Sequence, residues 1–379
     1  MTKINYITNL PVSEYSGGWS GMNHNVYLQL CKYHQVNLVE KINPSYFAID
    51  IWTSRLWRAV KMKGLFPAFT RRRLKRIAAL IDPKLDSSAT LNFFHGSTSW
   101  LNVKSQLPYA LYADACFATY MDVYHDASRF SEKQLDELYE REGSFLSKAS
   151  AVFFSSQWAL NDAKNIYNLQ GENFFVAGLG GGFPGLFTSK ERQPYFLFIG
   201  LDFLGKGGDL VVNSFLEFKK SIPGYKLKIV GAKPPAHFLI DADIEYVGLL
   251  NKSIPSQFQA LVQLFSEAYA FLLPSSRDLT PLVLIEAGSV GCPVIASANF
   301  GIPEIIRNGE TGVLIESGHD AQRQMVAAMT LLHKDKLLHQ NMSTKAKDHI
   351  AKNFTWDKVG IFIQENLPEK VAAANRIEL

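Results

Sequence analysis

Short apolar runs bounded by turn residues recur along the whole chain, separated by longer stretches with apolar positions at helical spacing. In the first half the runs predict strands at 4–7, 36–39, 91–94, 109–112, 151–154 and 174–176. Helical patterns separate most of them, most clearly at 23–32, 131–148 and 157–167. The rhythm restarts with strand patterns at 196–199, 226–230, 244–246, 270–273, 293–296 and 313–315. Two helical patterns close the chain, at 336–353 and 356–365. Such alternation argues for an α/β architecture with parallel sheets. Between the halves, residues 178–185 hold five glycines, a natural linker or hinge. The predicted division is a first domain over 1–190, a second over 191–355, and a terminal helical segment over 356–379.

Composition fits that reading. A chain of 379 residues is too long for one ordinary core, and 47% hydrophobic with 20% charged residues describes a folded, soluble protein. Cys31, Cys116 and Cys292 are widely spaced and odd in number. They suit neither a disulfide framework nor a zinc cluster, so a reducing compartment is expected. The opening MTKINYITNL reads as a strand rather than a signal peptide, and no run of 18 apolar residues occurs. A cytoplasmic location is expected.

The net charge of +4 is unevenly placed. Residues 1–190 carry 20 Lys/Arg and 15 Asp/Glu, whereas 191–379 carry 19 and 20. Between 51 and 81 there are nine basic residues and no acid, interleaved with Trp52, Trp57, Phe66 and Phe69. Such a segment suits an anionic membrane surface, a solvated helix face, or a site for an anionic acceptor. No recognised nucleic-acid module accompanies it, so nucleic acid is not an expected partner.

The richest chemistry lies between 271 and 312. A strand pattern enters a polar loop carrying Asp278, and Thr280-Pro281 reads as the N-cap and first position of a helix. A helix N-terminus there suits an anion such as a diphosphate. Glu286 follows about two turns on. Alone, this also fits an ordinary helix with two solvated acids. The motifs around it resemble the C-terminal signature of glycosyltransferase family 4, retaining enzymes of the GT-B fold. The matching residues are Asp278, Glu286-Ala287, Gly291-Cys292-Pro293-Val294, Gly301-Ile302-Pro303-Glu304 and Asn308-Gly309-Glu310-Thr311-Gly312. Two departures stand out: Asp rather than the commoner Glu at 278, and Leu279-Thr280-Pro281 where a Gly-Phe-Gly-like loop is usual.

The resemblance implies two Rossmann-like domains facing across a cleft, the second binding a nucleotide-sugar donor. It implies Glu286 on the ribose, and Thr280, Pro281 and Leu282 at the diphosphate. Gly200 ends a strand pattern, and Lys206-Gly207-Gly208-Asp209 then opens a helix; this resembles the family's Gly-Arg-(four residues)-Lys-Gly segment. Lys206 matches the diphosphate-neutralising lysine, but Leu201 stands where an arginine is usual. Gly231, Val247 and Gly248 end successive strand patterns at the edge where α/β proteins bind ligands. In the family the corresponding loops flank the nucleotide base. In the first half, the Gly17-Gly18 turn is implied to lie over the diphosphate, with Trp19 on the acceptor side. His95 and Asp114, at strand ends, are implied near the substrates, and Asp114 joins Asp278 and Lys206 as a catalytic candidate.

The expected reaction moves a sugar from a nucleotide-sugar donor, a UDP-sugar first and GDP-mannose next, to an acceptor hydroxyl with retention. A glycan or lipid-linked acceptor in cell-envelope or polysaccharide assembly is expected, with no cofactor and no metal ion. The altered loop and missing arginine keep a catalytically silent accessory subunit as an alternative, and a GT-B nucleotide-sugar epimerase is another. Asp241-Ala242-Asp243 matches a metal-binding DxD pattern but sits before a strand in the wrong architecture, so no metal site is assigned to it.

Overall fold

A computed structural model describes residues 2–14, 21–59, 62–104, 106–183 and 191–368. The chain divides into two units, Met1–Leu179 with Trp356–Leu379, and Gly180–Thr355. The division falls inside the glycine-rich stretch, eleven residues before the position drawn from sequence.

In the first unit, β1 (Lys3–Ile7), β2 (Gln35–Val39), β3 (Leu91–His95), β4 (Tyr109–Ala113), β5 (Ala151–Phe154) and β6 (Phe174–Val176) form one parallel sheet. Its order is β2-β1-β3-β4-β5-β6. The helices are α1 (Met22–Cys31), α2 (Ala48–Ala59), α3 (Arg71–Ile81), α4 (Phe117–Tyr124), α5 (Glu132–Lys148) and α6 (Gln157–Tyr167). Every residue of β3 and β5 is buried, whereas the edge strand β2 is mostly not. Inner strands covered on both faces by helices need continuous apolar runs, which is why they were visible in the sequence.

The second unit repeats the plan with β7 (Gln193–Gly200), β8 (Lys226–Gly231), β9 (Ile244–Gly248), β10 (Ala268–Leu273), β11 (Val294–Ser297) and β12 (Gly312–Ile315). These parallel strands run in the order β12-β11-β10-β7-β8-β9. Helices α7 (Gly208–Ser221), α8 (Pro255–Glu267), α9 (Leu282–Ser289), α10 (Ile302–Ile305), α11 (Ala321–Lys334) and α12 (Lys336–Asn353) complete it. A Cβ at Gly288 would lie 2.5 Å from Ile350 Cγ1, so glycine lets α9 pack closely on α12. The last helix, α13 (Trp356–Asn366), packs on α1 in the first unit. There Lys32 Nζ lies 2.5 Å from Asp357 Oδ1, and Gly360 leaves room for Gln29.

One expectation needs adjusting. Helix α9 starts one residue later than Thr280-Pro281 suggested: Pro281 is the N-cap, in extended conformation (φ −75°, ψ 112°), and no side chain caps it. Among the described residues, three of the basic side chains of 51–81 are taken up within the protein. Arg71 pairs with Glu137 and Lys63 with Glu132, while Arg73 is buried, donating to Pro44 O, Ala68 O and Asn43 Oδ1. Among the described residues, no helix is long and apolar enough to cross a membrane.

One arginine ties the second unit together at the edge where its strands begin. Arg192 Nη1 donates to Phe265 O and Ser266 O, each at 2.8 Å, and Nη2 donates to Val290 O at 2.9 Å. These carbonyls close α8 and α9, where backbone acceptors lack helical partners and the helix dipole favours a cation. Arg192→Ala is therefore expected to lower stability by about 2–4 kcal/mol, with Arg192→Lys restoring only part. Urea denaturation of the full chain measures the difference.

Candidate functional site

Parallel sheets bind ligands beyond the C-terminal ends of their strands, where the order reverses and adjacent loops part. In the second sheet that reversal lies between β7 and β10. The loop after β7 carries Lys206 and the loop after β10 carries Asp278. They meet: Lys206 Nζ donates to Asp278 Oδ1 and Oδ2, both at 3.0 Å, with each side chain largely buried. Residues 72 positions apart are thus joined by topology.

Glycines shape this edge in two ways. Gly200 and Gly231 are register partners at the ends of β7 and β8. Gly231 has φ +116°, and a Cβ on it would lie 2.1 Å from Gly200 O. A Cβ on Gly200 would lie 2.9 Å from Lys206 Cδ, so the missing atom admits the lysine stem. The protein itself fills both spaces. Gly248 differs, with φ +102° and open space beside its backbone. Val247 falls where the β8–β9 register shifts, a bulge that redirects the strand end.

The loop of Leu279, Thr280 and Pro281 turns inward, and all three residues are buried with Leu282. Gly301 N donates to Leu279 O at 2.9 Å, and Asn299 Nδ2 and Ser297 Oγ both donate to Ser275 O. The side chains that replace a glycine-rich loop therefore join the core beneath the switch point. Helix α9 brings no acid in its first turn, leaving its N-terminal dipole uncompensated by its own sequence.

Two cations were missed by sequence reasoning. Lys252, in the loop after β9, pairs with Glu286. Arg277, beside Asp278, places Nη1 3.7 Å from Asp202 Oδ2, and its Cδ lies 3.2 Å from where a Gly205 Cβ would be. Arg277 thus stands against the 201–207 turn, where Leu201 is exposed in the position of the expected arginine. The charge of these side chains was the available signal; their placement depends on loops from different strands. Asp241 and Asp243 both pair with Lys219.

In the first sheet the order reverses between β1 and β3. The loop after β1 contains Gly17, Gly18 and Trp19, which lie outside the described residues. His95 ends β3, opposite Tyr112 of β4, with ring centroids 6.1 Å apart and nearly parallel planes. Burial lowers the His95 pKa to about 3, so its imidazole is neutral at ordinary pH. Asp114 follows β4. Burial raises its pKa to about 6, opposed by the backbone N–H groups of Asp114 and Ala115.

A residue unnoticed in the sequence organises these loops. Glu142 of α5 is fully buried and accepts from Ser97 Oγ, Thr98 Oγ1 (2.7 Å), Phe117 N (2.6 Å) and Tyr167 Oη (2.6 Å). It joins the loop after β3 to the start of α4, satisfying a helix N-terminal N–H from another helix. Its signal was present: Leu135, Leu138, Glu142 and Leu146 share the buried face of α5.

Comparison with known proteins gives this geometry a context. The profile of the family "Glycosyl transferases group 1" matches residues 187–349. The chain is 28% identical over 188 residues to D-inositol 3-phosphate glycosyltransferase of Acidothermus cellulolyticus, covering 45% of this chain and 41% of that protein. It is 36% identical over 99 residues to N-acetyl-alpha-D-glucosaminyl L-malate synthase of Bacillus anthracis, covering 26% of each. The chain thus spans well under half the length of these relatives. Sucrose-phosphate synthase from Thermosynechococcus elongatus superposes with a TM-score of 0.73 at 16% identity, over 98% of this chain and 100% of that one. That likeness is one of fold.

The Asp114 environment makes a testable statement about stability. The folded chain holds this proton up to about pH 6, but an unfolded carboxyl releases it near 3.8. Between those values the folded state binds more protons, so stability falls as pH rises, and the cost is complete above pH 6. Asp114→Asn keeps an acceptor oxygen and removes the titration. It is expected to be more stable than the parent by about 1–3 kcal/mol at pH 8, with a smaller gain at pH 5. Urea titrations at both pH values check this.

Proposed function

We propose that this chain, a protein of the GT-B fold and the glycosyltransferase family 4 type with its group 1 glycosyl transferase domain at residues 187–349, is a retaining sugar transferase using a nucleotide-sugar donor. The observation that carries the reading is the Lys206–Asp278 pair at the switch point of the second sheet. A cation and a carboxylate held together there are the two charges that sugar transfer from a diphosphate uses.

In this reading the donor diphosphate takes Lys206 away from Asp278, and the freed carboxylate faces the sugar near its reacting carbon. Arg277 supplies the second cation that Leu201 does not. The ribose hydroxyls take Glu286 from Lys252, and the base lies by Gly231, Val247 and Gly248. The bond from C1 to the phosphate oxygen breaks, with its electron pair leaving on the nucleoside diphosphate. The acceptor oxygen bonds to C1 on the same face, and its proton passes to the departing phosphate. Rate comes from positioning and from stabilising negative charge on the leaving group. The cations in this scheme are side chains, so activity is expected to survive a chelator.

A UDP-sugar is the favoured donor and GDP-mannose the next, with the acceptor a glycan or lipid-linked hydroxyl of cell-envelope or polysaccharide assembly. Asp114 and His95 serve on the first unit, His95 as a neutral hydrogen-bonding group. A catalytically silent GT-B subunit is the second reading, favoured by the buried Leu279-Thr280-Pro281 loop.

Calorimetry with a panel of nucleotide sugars separates the two, since the enzyme reading expects saturable binding and the silent subunit expects none. With the donor that binds, slow hydrolysis is expected. Lys206→Ala is expected to cut it by about 100-fold or more, the loss typical of removing one transition-state charge contact. Glu286→Ala is expected to weaken donor binding about tenfold or more. Hydrolysis unaffected by either substitution sinks the site assignment.

A further inference from the structure

Asp114 is carried on a short span with both ends fixed. Its near end leaves β4, where Ser155 N donates to Ala113 O at 3.0 Å and Gly96 N donates to Tyr112 O at 2.8 Å. Only Asp114, Ala115 and Cys116 separate that strand from α4. Cys116 is the N-cap of α4, but its side chain does not cap the helix. The first N–H groups of α4 are met from other helices instead. Phe117 N donates to Glu142 Oε2 at 2.6 Å, and Ala118 N donates to Tyr167 Oη at 3.1 Å. Tyr167 Oη in turn donates to Glu142 Oε2 at 2.6 Å.

The other oxygen of Glu142 serves a different loop. Oε1 accepts from Ser97 Oγ and Thr98 Oγ1, which follow His95 at the end of β3. Four donors thus fill the acceptor positions of one carboxylate. The two loops that follow β3 and β4, and that carry His95 and Asp114, are tied to one point on α5. The groups around them keep their protons fixed while Asp114 titrates. Burial lowers His95 to about 3 and raises Cys116 to about 11. It also holds the Tyr112 and Tyr167 phenols well above their ordinary values. Beyond Cys116, Thr119 Oγ1 donates to Asp162.

We propose that Glu142 is a positioning residue for sugar transfer: by pinning the start of α4 to the loop after β3, it holds Asp114 in place at the strand ends of the first unit. What Asp114 does there rests on the sugar-transfer reading; the hold that Glu142 has on it does not. A carboxyl on a span of three residues moves with the end of that span. Misplacing a reacting group by about 1 Å costs up to about 100-fold in rate, so a distant carboxylate can govern the chemistry without touching a substrate.

A double-mutant comparison in urea tests the hold without any substrate. In the parent, Asp114→Asn is expected to raise the urea midpoint more at pH 8 than at pH 5, because only the carboxyl must ionise while shielded from water. Glu142→Leu removes every acceptor and lets water reach the span, which is expected to cut that pH-dependent gain to about half or less. Tyr167→Phe loses one donor and is expected to cut it by a smaller amount, and it serves where Glu142→Leu does not fold. Glu142→Gln keeps an oxygen for Phe117 N while the Ser97 and Thr98 hydroxyls turn to accept from its amide, so it is expected to retain most of the gain. A general loss of stability lowers every midpoint and leaves the gain unchanged. An undiminished gain in folded Glu142→Leu, or in Tyr167→Phe where Glu142→Leu does not fold, overturns the proposal, as does a parent in which Asp114→Asn gains nothing with pH. With a donor that binds, Glu142→Leu is expected to lower kcat about tenfold or more at unchanged donor KM, since the donor is placed on the second unit. An unchanged kcat in the folded variant overturns it too. A parent that binds no donor removes the sugar-transfer reading and this role with it, and the urea comparison then shows that the hold on Asp114 was not what failed.

Discussion

Much of this structure follows from the demand that inner parallel strands be covered by helices on both faces. A parallel strand cannot be followed directly by its neighbour, so every strand hands the chain to a crossing segment before the next. All strands of a sheet therefore end at one edge, and every strand-to-helix loop collects there. Lys206, Asp278, Lys252, Glu286, Arg277, Gly200, Gly231 and Gly248 occupy four such loops or their margins in the second unit. Hydrophobic burial thus determines which charged residues can meet, although none of those charges is in the core.

Two charges at the strand ends of the two units are held by several partners each. Glu142 receives four donors, and Arg192 donates to the closing carbonyls of two helices. Each replaces capping that the helix ends do not supply for themselves. Such a group is costly to bury unless every partner is in place, so it specifies one arrangement of the elements it joins. Glu142 does this where strands end in the first unit, and Arg192 where strands begin in the second.

The fold was largely legible in the sequence because its strands are short apolar runs punctuated by turn residues. All twelve strands among the described residues were found, and most differ only by one or two terminal residues. Helices were legible where an apolar stripe faces the core, as at α5 and α6. Helix α2 escaped because its apolar positions face outward and its buried positions are Asp50 and Ser54, so the usual inside-outside code is reversed. The basic run left a membrane surface, a solvated helix face or an acceptor site open, and sequence did not show that Arg73 turns inward to backbone carbonyls or that Lys63 and Arg71 meet acids of α5. At the candidate site, Lys206, Asp278 and Glu286 were legible through local motifs. Lys252 and Arg277 were not, because their significance lies in contacts with loops from other strands.

The lysine–aspartate pair has a consequence for anion selection. Asp278 is a counter-ion attached to the protein, present at a local concentration that dissolved phosphate does not approach. An anion arriving at Lys206 must displace it, and a small one brings nothing further to offset that loss. A ligand that also engages the strand ends around Gly231 and Gly248 gains contacts elsewhere while it opens the pair. In the proposed donor reading the carboxylate acts as a threshold, keeping small anions off the lysine and yielding to a ligand long enough to hold on at a second point.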